Sequence, residues 1–164
     1  MQTPENEEIF ETLKNFFISL PHCKALGMKF EKMVGHQPTL SIPWRPEFVG
    51  HIDTGVIHGG VITPLVDITG ATAVAAYLEV PEALATLDLR IDYLCAAPSK
   101  GKIFATSECF RLSGQVAFVR TICFAEYANN PFALGTATYM RVMDPFALET
   151  ATYMKILDNQ PHYR

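Results

Sequence analysis

Between Gly59 and Leu78 the chain runs GGVITPLVDITGATAVAAYL, twenty residues whose sole charge is Asp67. A segment this apolar must be removed from water on nearly every side, and few folds can do that. A membrane span would satisfy the need, but the carboxylate, Pro64, three threonines and three glycines make a poor lone anchor, and no other segment supports one. The better reading is a helix enclosed by a sheet, with Gly70, Ala71, Ala73, Ala75 and Ala76 small enough to let strands approach closely. Pro64 removes one helical hydrogen bond and is expected to tighten or kink the first turns.

The flanking sequence supplies the enclosing layers. Thr3 as N-cap and Pro4 at the first helical position start a helix over about 4–20, with Ile9, Phe10, Leu13, Phe16, Phe17 and Leu20 on one stripe that stops at Pro21. Segments 26–34 and 38–44 read as strands around a Gly35-His36 turn, and 45–57 as a loop with Pro46, Gly50, Asp53 and Gly55. After Pro81, Leu87, Leu89, Ile91 and Tyr93 alternate with Asp88, Arg90 and Asp92, which is strand periodicity. Pro98-Ser99-Lys100-Gly101, Ser113-Gly114 and Asn129-Asn130-Pro131 punctuate three further strands, expected to form an antiparallel meander. The order is helix, two strands, buried helix, four strands: an α+β fold with about six antiparallel strands around a helix at about 59–78. A single domain over 1–164 is expected, with its core over about 26–143 and a C-terminal extension over 144–164. In that tail TATYM at 150–154 echoes TATYM at 136–140, too little for a repeat. Phe146, Tyr153 and Ile156 could line a terminal helix, though Thr150, Thr152 and Tyr153 also suit a strand.

Charge and cysteine usage narrow the partners. A net charge of -4 gives a nucleic acid little to bind, and no membrane partner is expected. The polar, acidic residues from Met1 to Glu8 lack the basic and then apolar start of a secretory signal, so a cytoplasmic protein is expected. Cys23, Cys95, Cys109 and Cys123 form no C-x-x-C pair and mostly lie in apolar surroundings, as reduced buried thiols do. His51, Asp53 and His58 are ligand-capable but lack a further ligand at zinc spacing, so no metal is expected. With no phosphate-binding loop, dinucleotide fingerprint or G-x-S-x-G elbow, no cofactor is expected either.

The chemistry gathers at the long helix. A carboxylate alone in an apolar helix must find partners or shift its pKa, so Asp67 is a site candidate, the alternative being a structural Asp bonded to backbone or a neighbouring Thr. His58-Gly59-Gly60 precedes it at the helix start, where the first N–H groups have no intrahelical acceptor and the dipole favours negative charge. Two glycines would let a ligand reach those amides, and a thioester carbonyl there would be polarised. Equally, Gly-Gly can be a tight turn and His58 its cap.

The combination G-x-x-H-G-G with Asp nine residues after the His, here Gly55, His58, Gly59, Gly60 and Asp67, resembles the phenylacetate-degradation type (PaaI-like) of hotdog-fold thioesterases. The resemblance continues through Ala85-Thr86-Leu87-Asp88-Leu89-Arg90-Ile91-Asp92-Tyr93-Leu94 and spans about 26–143. It implies a curved antiparallel sheet around one helix, acyl-CoA as substrate, and a homodimer with two shared active sites, assembled further in some cases to a homotetramer. It implies Asp67 as the catalytic carboxylate, Gly59 as backbone donor to the thioester oxygen, His58 as first motif residue and Thr86 as a hydroxyl that helps place water. Gly60 and Gly55 would border the substrate. Many members carry Asn where this chain has Ile52, so His51 or Asp53 would have to substitute for that amide.

On its own strand Thr86 shares a face with Asp88, Arg90 and Asp92, opposite the apolar set, which suits a subunit interface. Arg90 and Arg120 are the preferred cations for coenzyme A phosphates among Arg90, Lys100, Lys102, Arg111 and Arg120, each of which also fits an ion-paired strand residue. A thiol with pKa of roughly 8.5 leaves without a strong general acid, so Asp67 could activate water or attack directly to give a mixed anhydride. The expected activity is hydrolysis of acyl-CoA thioesters. A non-catalytic acyl-CoA-binding protein is the first alternative; a hotdog hydratase or dehydratase is less favoured, because it needs an acid/base pair for carbon-bound protons.

Overall fold

The computed structural model describes residues 4–79 and 82–142, with side chains from residue 10 onward. The Thr3 cap and the readings of the 144–164 tail lie outside those residues. Helix α1 (Pro4–Ser19) buries Leu13 and Phe17, four residues apart on one face. Pro21 does not lead toward a strand: it opens a short helix α2 (Pro21–Leu26), which ends at Gly27. That glycine stands in the left-handed region (φ 65°), its N–H reaching the Cys23 and Lys24 carbonyls, so strand β1 (Lys29–Val34) starts three residues later than expected.

Strand β2 (Gln37–Ile42) stops before Pro43, which has no N–H to give the ladder. The segment expected to be a plain loop is partly ordered. Pro46–Phe48 form a 3₁₀ turn, and β3 (Val49–His51) pairs with β4 (Val56–Ile57) in a small hairpin. That hairpin delivers the chain to α3 (Gly59–Leu78), which runs unbroken through Pro64. Strands β5 (Leu84–Tyr93), β6 (Ile103–Ser113), β7 (Val116–Phe124) and β8 (Ala133–Arg141) follow.

The main sheet has six antiparallel strands in the order β1-β2-β6-β7-β8-β5. The last four strands are therefore not a simple meander: β6, β7 and β8 follow one another, but β5 pairs with β8 instead of β6. The connection through residues 94–102 carries the chain across, leaving β5 as one edge of the sheet. Arg141 and Glu82 tie the start of β5 to the end of β8 through a two-pronged ion pair at 2.6 Å.

Helix α3 lies in the sheet's concavity. Ile62, Leu65 and Val66 meet Leu13, Leu40, Ile42, Ile103 and Ala105, while Val74 meets Ala117, Val119, Ala137 and Tyr139. Burial of each of these larger aliphatic side chains stabilises the fold by about 1.5–3 kcal/mol. Gly70, Ala73, Ala75 and Ala76 are all buried, as their small size requires. The buried hydroxyls of Thr69 and Thr72 donate to the Leu65 and Ile68 carbonyls at 2.6 and 2.7 Å, so they add no unsatisfied donor. Burial is nonetheless one-sided. Gly60, Thr63, Pro64, Asp67 and Ala71, at three- and four-residue spacing, form an open stripe that the chain's own sheet leaves uncovered.

Strand β5 departs from its expected alternation. Its register with β8 shifts between Thr86 and Asp88, where Leu87 is the extra residue of a β-bulge. One added residue reverses the facing of everything before it. Thr86 pairs with Tyr139, Leu89 with Ala137 and Ile91 with Gly135, all of them inward partners, whereas Asp88 pairs with outward Thr138. Thr86 thus shares the helix-facing side with Leu89, Ile91 and Tyr93, not the outer side with Asp88, Arg90 and Asp92. Leu87 leaves the apolar set and is 53% exposed.

Among the cysteines, Cys23, Cys109 and Cys123 are buried free thiols and Cys95 is exposed. Burial pushes the Cys23 and Cys123 thiols up to about 11 and about 12, which leaves them protonated and inert.

Candidate active site

Helix α3 brings two groups of chemistry-bearing residues into the structure, one at its start and one two turns in. At the start, His58 is the N-cap: its backbone is extended (φ −65°, ψ 139°) and its Nδ1 accepts the Gly60 N–H at 2.9 Å. Because Nδ1 is the acceptor, the ring proton of the neutral imidazole sits on Nε2. Cap and carbonyl are both fixed, since the His58 N–H donates to Phe48 O at 2.8 Å and its carbonyl accepts the Val61 N–H at 2.9 Å. The Gly60 amide is therefore engaged by His58. The Gly59 amide is the leading helical donor, aligned with the positive end of the helix dipole.

The two glycines are explained by close neighbours, not by unusual backbone angles. A Cβ on Gly60 would lie 3.0 Å from His58 Nδ1, and one on Gly59 would lie 2.7 Å from the Tyr93 hydroxyl. Gly50 has the same relation to the other side of the cap, since its Cβ would be 2.9 Å from His58 Cα. Gly55 serves a different purpose. It turns the β3–β4 hairpin at φ 69°, accepts Trp44 Nε1–H at 3.0 Å and packs on Ser99 O.

Two turns along α3, Asp67 sits half-buried on the open stripe. Its Oδ1 accepts the Thr86 hydroxyl from β5 at 2.8 Å. The β5 bulge makes this contact, because regular alternation would turn Thr86 to the other side of the sheet. The Asp67 backbone carbonyl accepts the Tyr139 hydroxyl from β8 at 2.8 Å. Burial, together with the neighbouring Asp67 charge, drives the Tyr139 phenol far above its ordinary value, so it remains a donor. Tyr139 can approach this closely because the helix carries Gly70 there; a Cβ would collide with the phenol oxygen.

Six of the residues expected at the site thus fall into three places. Asp67 and Thr86 meet directly; His58, Gly59 and Gly60 form the helix start; Gly55 stands in the hairpin turn before it. Eight helical steps of about 1.5 Å put Gly59 about 12 Å from Asp67 along α3. His51, Ile52 and Asp53 are exposed at the hairpin turn, with Ile52 at 92% and His51 Nδ1 3.3 Å from Thr54 Oγ1. Arg90 and Arg120 are elsewhere. Both register with Thr136 on the outer face of the sheet, away from α3, where Arg90 pairs with Asp92 and Arg120 with Glu108 at 2.8 Å.

Sequence reasoning missed Tyr139 and gave Tyr93 no role. Nothing in the sequence marks Tyr139, since its importance lies in a carbonyl contact across 72 positions. Tyr93 carried only its place in the β5 alternation.

A family model described as Thioesterase superfamily matches residues 54–126, a span holding Gly55, the helix start, Asp67 and Thr86. The chain is 32% identical over 139 residues to the medium/long-chain acyl-CoA thioesterase YigI of Escherichia coli K12, covering 76% of this chain and 88% of that one. A crystal structure from Pseudomonas aeruginosa superposes with a TM-score of 0.73 at 32% identity, over 82% of this chain and 99% of the other. The E. coli PaaI protein of the phenylacetic acid degradation operon matches with a TM-score of 0.71 over 84% of this chain and 95% of its own, at 17% identity, a likeness of fold alone. With a six-stranded antiparallel sheet wrapped around one apolar helix and relatives of this closeness, the chain belongs to the thioesterase superfamily and has its hotdog fold.

Proposed function

We propose that this protein hydrolyses acyl-CoA thioesters to the free acid and coenzyme A, with medium or long acyl chains as in the name of its E. coli relative YigI. The observation that carries the reading is Asp67: the one charge in α3, half-buried on the helix's uncovered stripe, its carboxylate oriented by the Thr86 hydroxyl. A structural aspartate would be expected to close its hydrogen bonds within the core. This one leaves a face toward the open stripe.

In the proposed mechanism the thioester carbonyl accepts the Gly59 N–H, with the helix dipole behind it, and the oxyanion that develops is stabilised there. His58 caps the turn and holds the amides in place. Asp67 then acts in one of two ways. It takes a proton from water as that water attacks the carbonyl carbon, or it attacks directly to give a mixed anhydride that water opens. Either way the C–S bond breaks and coenzyme A leaves as thiolate, which needs no strong general acid at a thiol pKa of roughly 8.5. Thr86 keeps one Asp67 oxygen in place so that the other faces the reacting atoms.

The gap of about 12 Å between Gly59 and Asp67 along one helix is too long for a single chain to polarise and attack one carbonyl, since reacting atoms must come within about 3–3.5 Å. A homodimer with antiparallel α3 helices would set Asp67 of one copy beside Gly59 of the other and create two equal sites. Two features support it: the open stripe on α3 and the edge position of β5, whose outward N–H and C=O groups pair with no other strand among the described residues. Arg90 and Arg120 lie on the outer face of the sheet, away from α3, and each is already paired with a carboxylate, so the site is drawn without them.

The test is thiol release from a panel of short, medium, long, aromatic and hydroxylated acyl-CoAs, by wild type and by Asp67→Asn. The variant is nearly isosteric and should lose at least about 100-fold in kcat, on the order of a lost base or nucleophile, while still binding acyl-CoA. Binding without turnover in the wild type would instead make this an acyl-CoA-binding hotdog protein.

A further inference from the structure

We propose that Tyr93 is the positioning residue of the helix-start donor, acting through Gly59; the inference rests on the thioesterase reading above. Tyr93 closes β5, and although half its surface is exposed its hydroxyl is turned in over the first residue of α3. It donates to the Gly59 carbonyl at 3.3 Å, an oxygen that also accepts the Thr63 hydroxyl at 3.1 Å. The peptide between Gly59 and Gly60 is thus held at both ends: its carbonyl by Tyr93 and Thr63, its N–H by His58 Nδ1. The neighbouring peptide, which carries the Gly59 N–H, is held at its other end, where the His58 carbonyl accepts the Val61 N–H. With the 59–60 plane fixed as well, Gly59 is clamped on both sides and the donor is aimed before any substrate arrives.

The same contact accounts for glycine at position 59. Its dihedral angles are those of an ordinary helical residue, so conformational freedom is not the reason. The Tyr93 oxygen occupies the volume that a Cβ would fill, at 2.7 Å from the Cβ position and with the ring carbon at 3.3 Å. Gly59 and Tyr93 are complementary shapes, and the small residue serves the phenol as well as any ligand.

Strand β5 consequently touches α3 at both chemical centres. Thr86 orients the carboxylate and Tyr93, seven residues on, orients the amide. One strand sets the geometry of two half-sites that the dimer would bring together.

The experiment compares wild type, Tyr93→Phe, Gly59→Ala and the double variant Gly59→Ala/Tyr93→Leu in acyl-CoA thiol release, with Asp67→Asn as the inactive reference and heat unfolding to verify each fold. Tyr93→Phe keeps the ring and removes the hydroxyl. The expected result is a kcat lowered about tenfold with KM within about twofold, the signature of a misaimed donor and not of lost binding. Gly59→Ala should lose more. In the double variant the smaller leucine side chain makes room for the new methyl, and kcat should recover at least about threefold over Gly59→Ala alone, a non-additivity that ligand access to a glycine does not produce. A Tyr93→Phe kcat within about threefold of wild type, a loss carried by KM, or a double variant no better than Gly59→Ala overturns the proposal. Those outcomes leave the thioesterase reading intact so long as wild type turns over and Asp67→Asn does not; an inactive wild type overturns both.

Discussion

Gly70→Ala is the sharpest test of how the core supports the site. The added methyl would collide with the Tyr139 hydroxyl, and its next neighbours would be Tyr139 Cζ at 3.0 Å and Cε2 at 3.2 Å. Tyr139 is 1% exposed, so the phenol has no solvent to retreat into. Overpacking of a tight core costs about 1–3 kcal/mol. Displacing the phenol also breaks its bond to the Asp67 carbonyl and leaves a buried donor unpaired, about 1–3 kcal/mol more. The gain of a helix-favouring alanine returns roughly 1 kcal/mol. The net is a loss of about 1–5 kcal/mol, or roughly 2–20 °C in Tm at about 2–4 °C per kcal/mol for a chain of this size. The assay is urea and heat unfolding of wild type, Gly70→Ala, Tyr139→Phe and the double variant. Removing the phenol oxygen relieves the collision, so Gly70→Ala should cost at least about 1 kcal/mol less in the Tyr139→Phe background. Equal costs in both backgrounds, or a Gly70→Ala protein as stable as wild type, would refute the argument.

Thr86→Val, which removes the hydroxyl at nearly constant volume, should lower kcat by about 10-fold without abolishing it, because the carboxylate remains but loses its orientation; an unchanged kcat would reduce Thr86 to a strand residue. Mixing inactive Asp67→Asn with an inactive Gly59→Phe protein, after confirming that each folds and that subunits exchange, should restore roughly a quarter of wild-type activity, since only one of two sites in each random heterodimer is whole; verified heterodimers that stay inactive would refute shared sites. Hydrogen bonding from Arg141 holds the Glu82 carboxyl below its ordinary value, against the opposing effect of burial. A depressed folded pKa contributes stability that is fully present above the unfolded value of about 4.3 and is lost as pH falls through the folded one. The stability advantage of wild type over Glu82→Gln should therefore hold at neutral pH and shrink below about pH 4, as followed by urea unfolding.

What could be read from the sequence was whatever depends on composition and period. Gly59–Leu78 announced an enclosed helix because its small apolar residues must be taken out of water on nearly every side, and Asp67 stood out against them. The expected count of six main strands also matches, since turn residues punctuate each of them. What stayed illegible depends on distant contacts. The pairing of β5 with β8 instead of β6 is a matter of closure, which adjacency in sequence cannot supply. Alternation placed Thr86 on the wrong face because a bulge adds a residue without a glycine or proline to flag it. Arg90 and Arg120 looked available in one dimension, yet their carboxylate partners lie beside them on the same face of the sheet.

The bulge at Leu87 has a genetic corollary. An in-frame loss of that single codon would leave Thr86 opposite Tyr139 and Asp88 opposite Thr138, now as consecutive residues of a regular ladder. Because neighbouring strand residues point to opposite faces, Asp88 would stay outward and Thr86 inward, with its hydroxyl still toward Asp67. The lost side chain is itself largely exposed, so the core would give up little. Strand β5 thus encodes one residue more than its pairing with β8 requires, and a gene shortened by that codon would still specify the same contacts around α3.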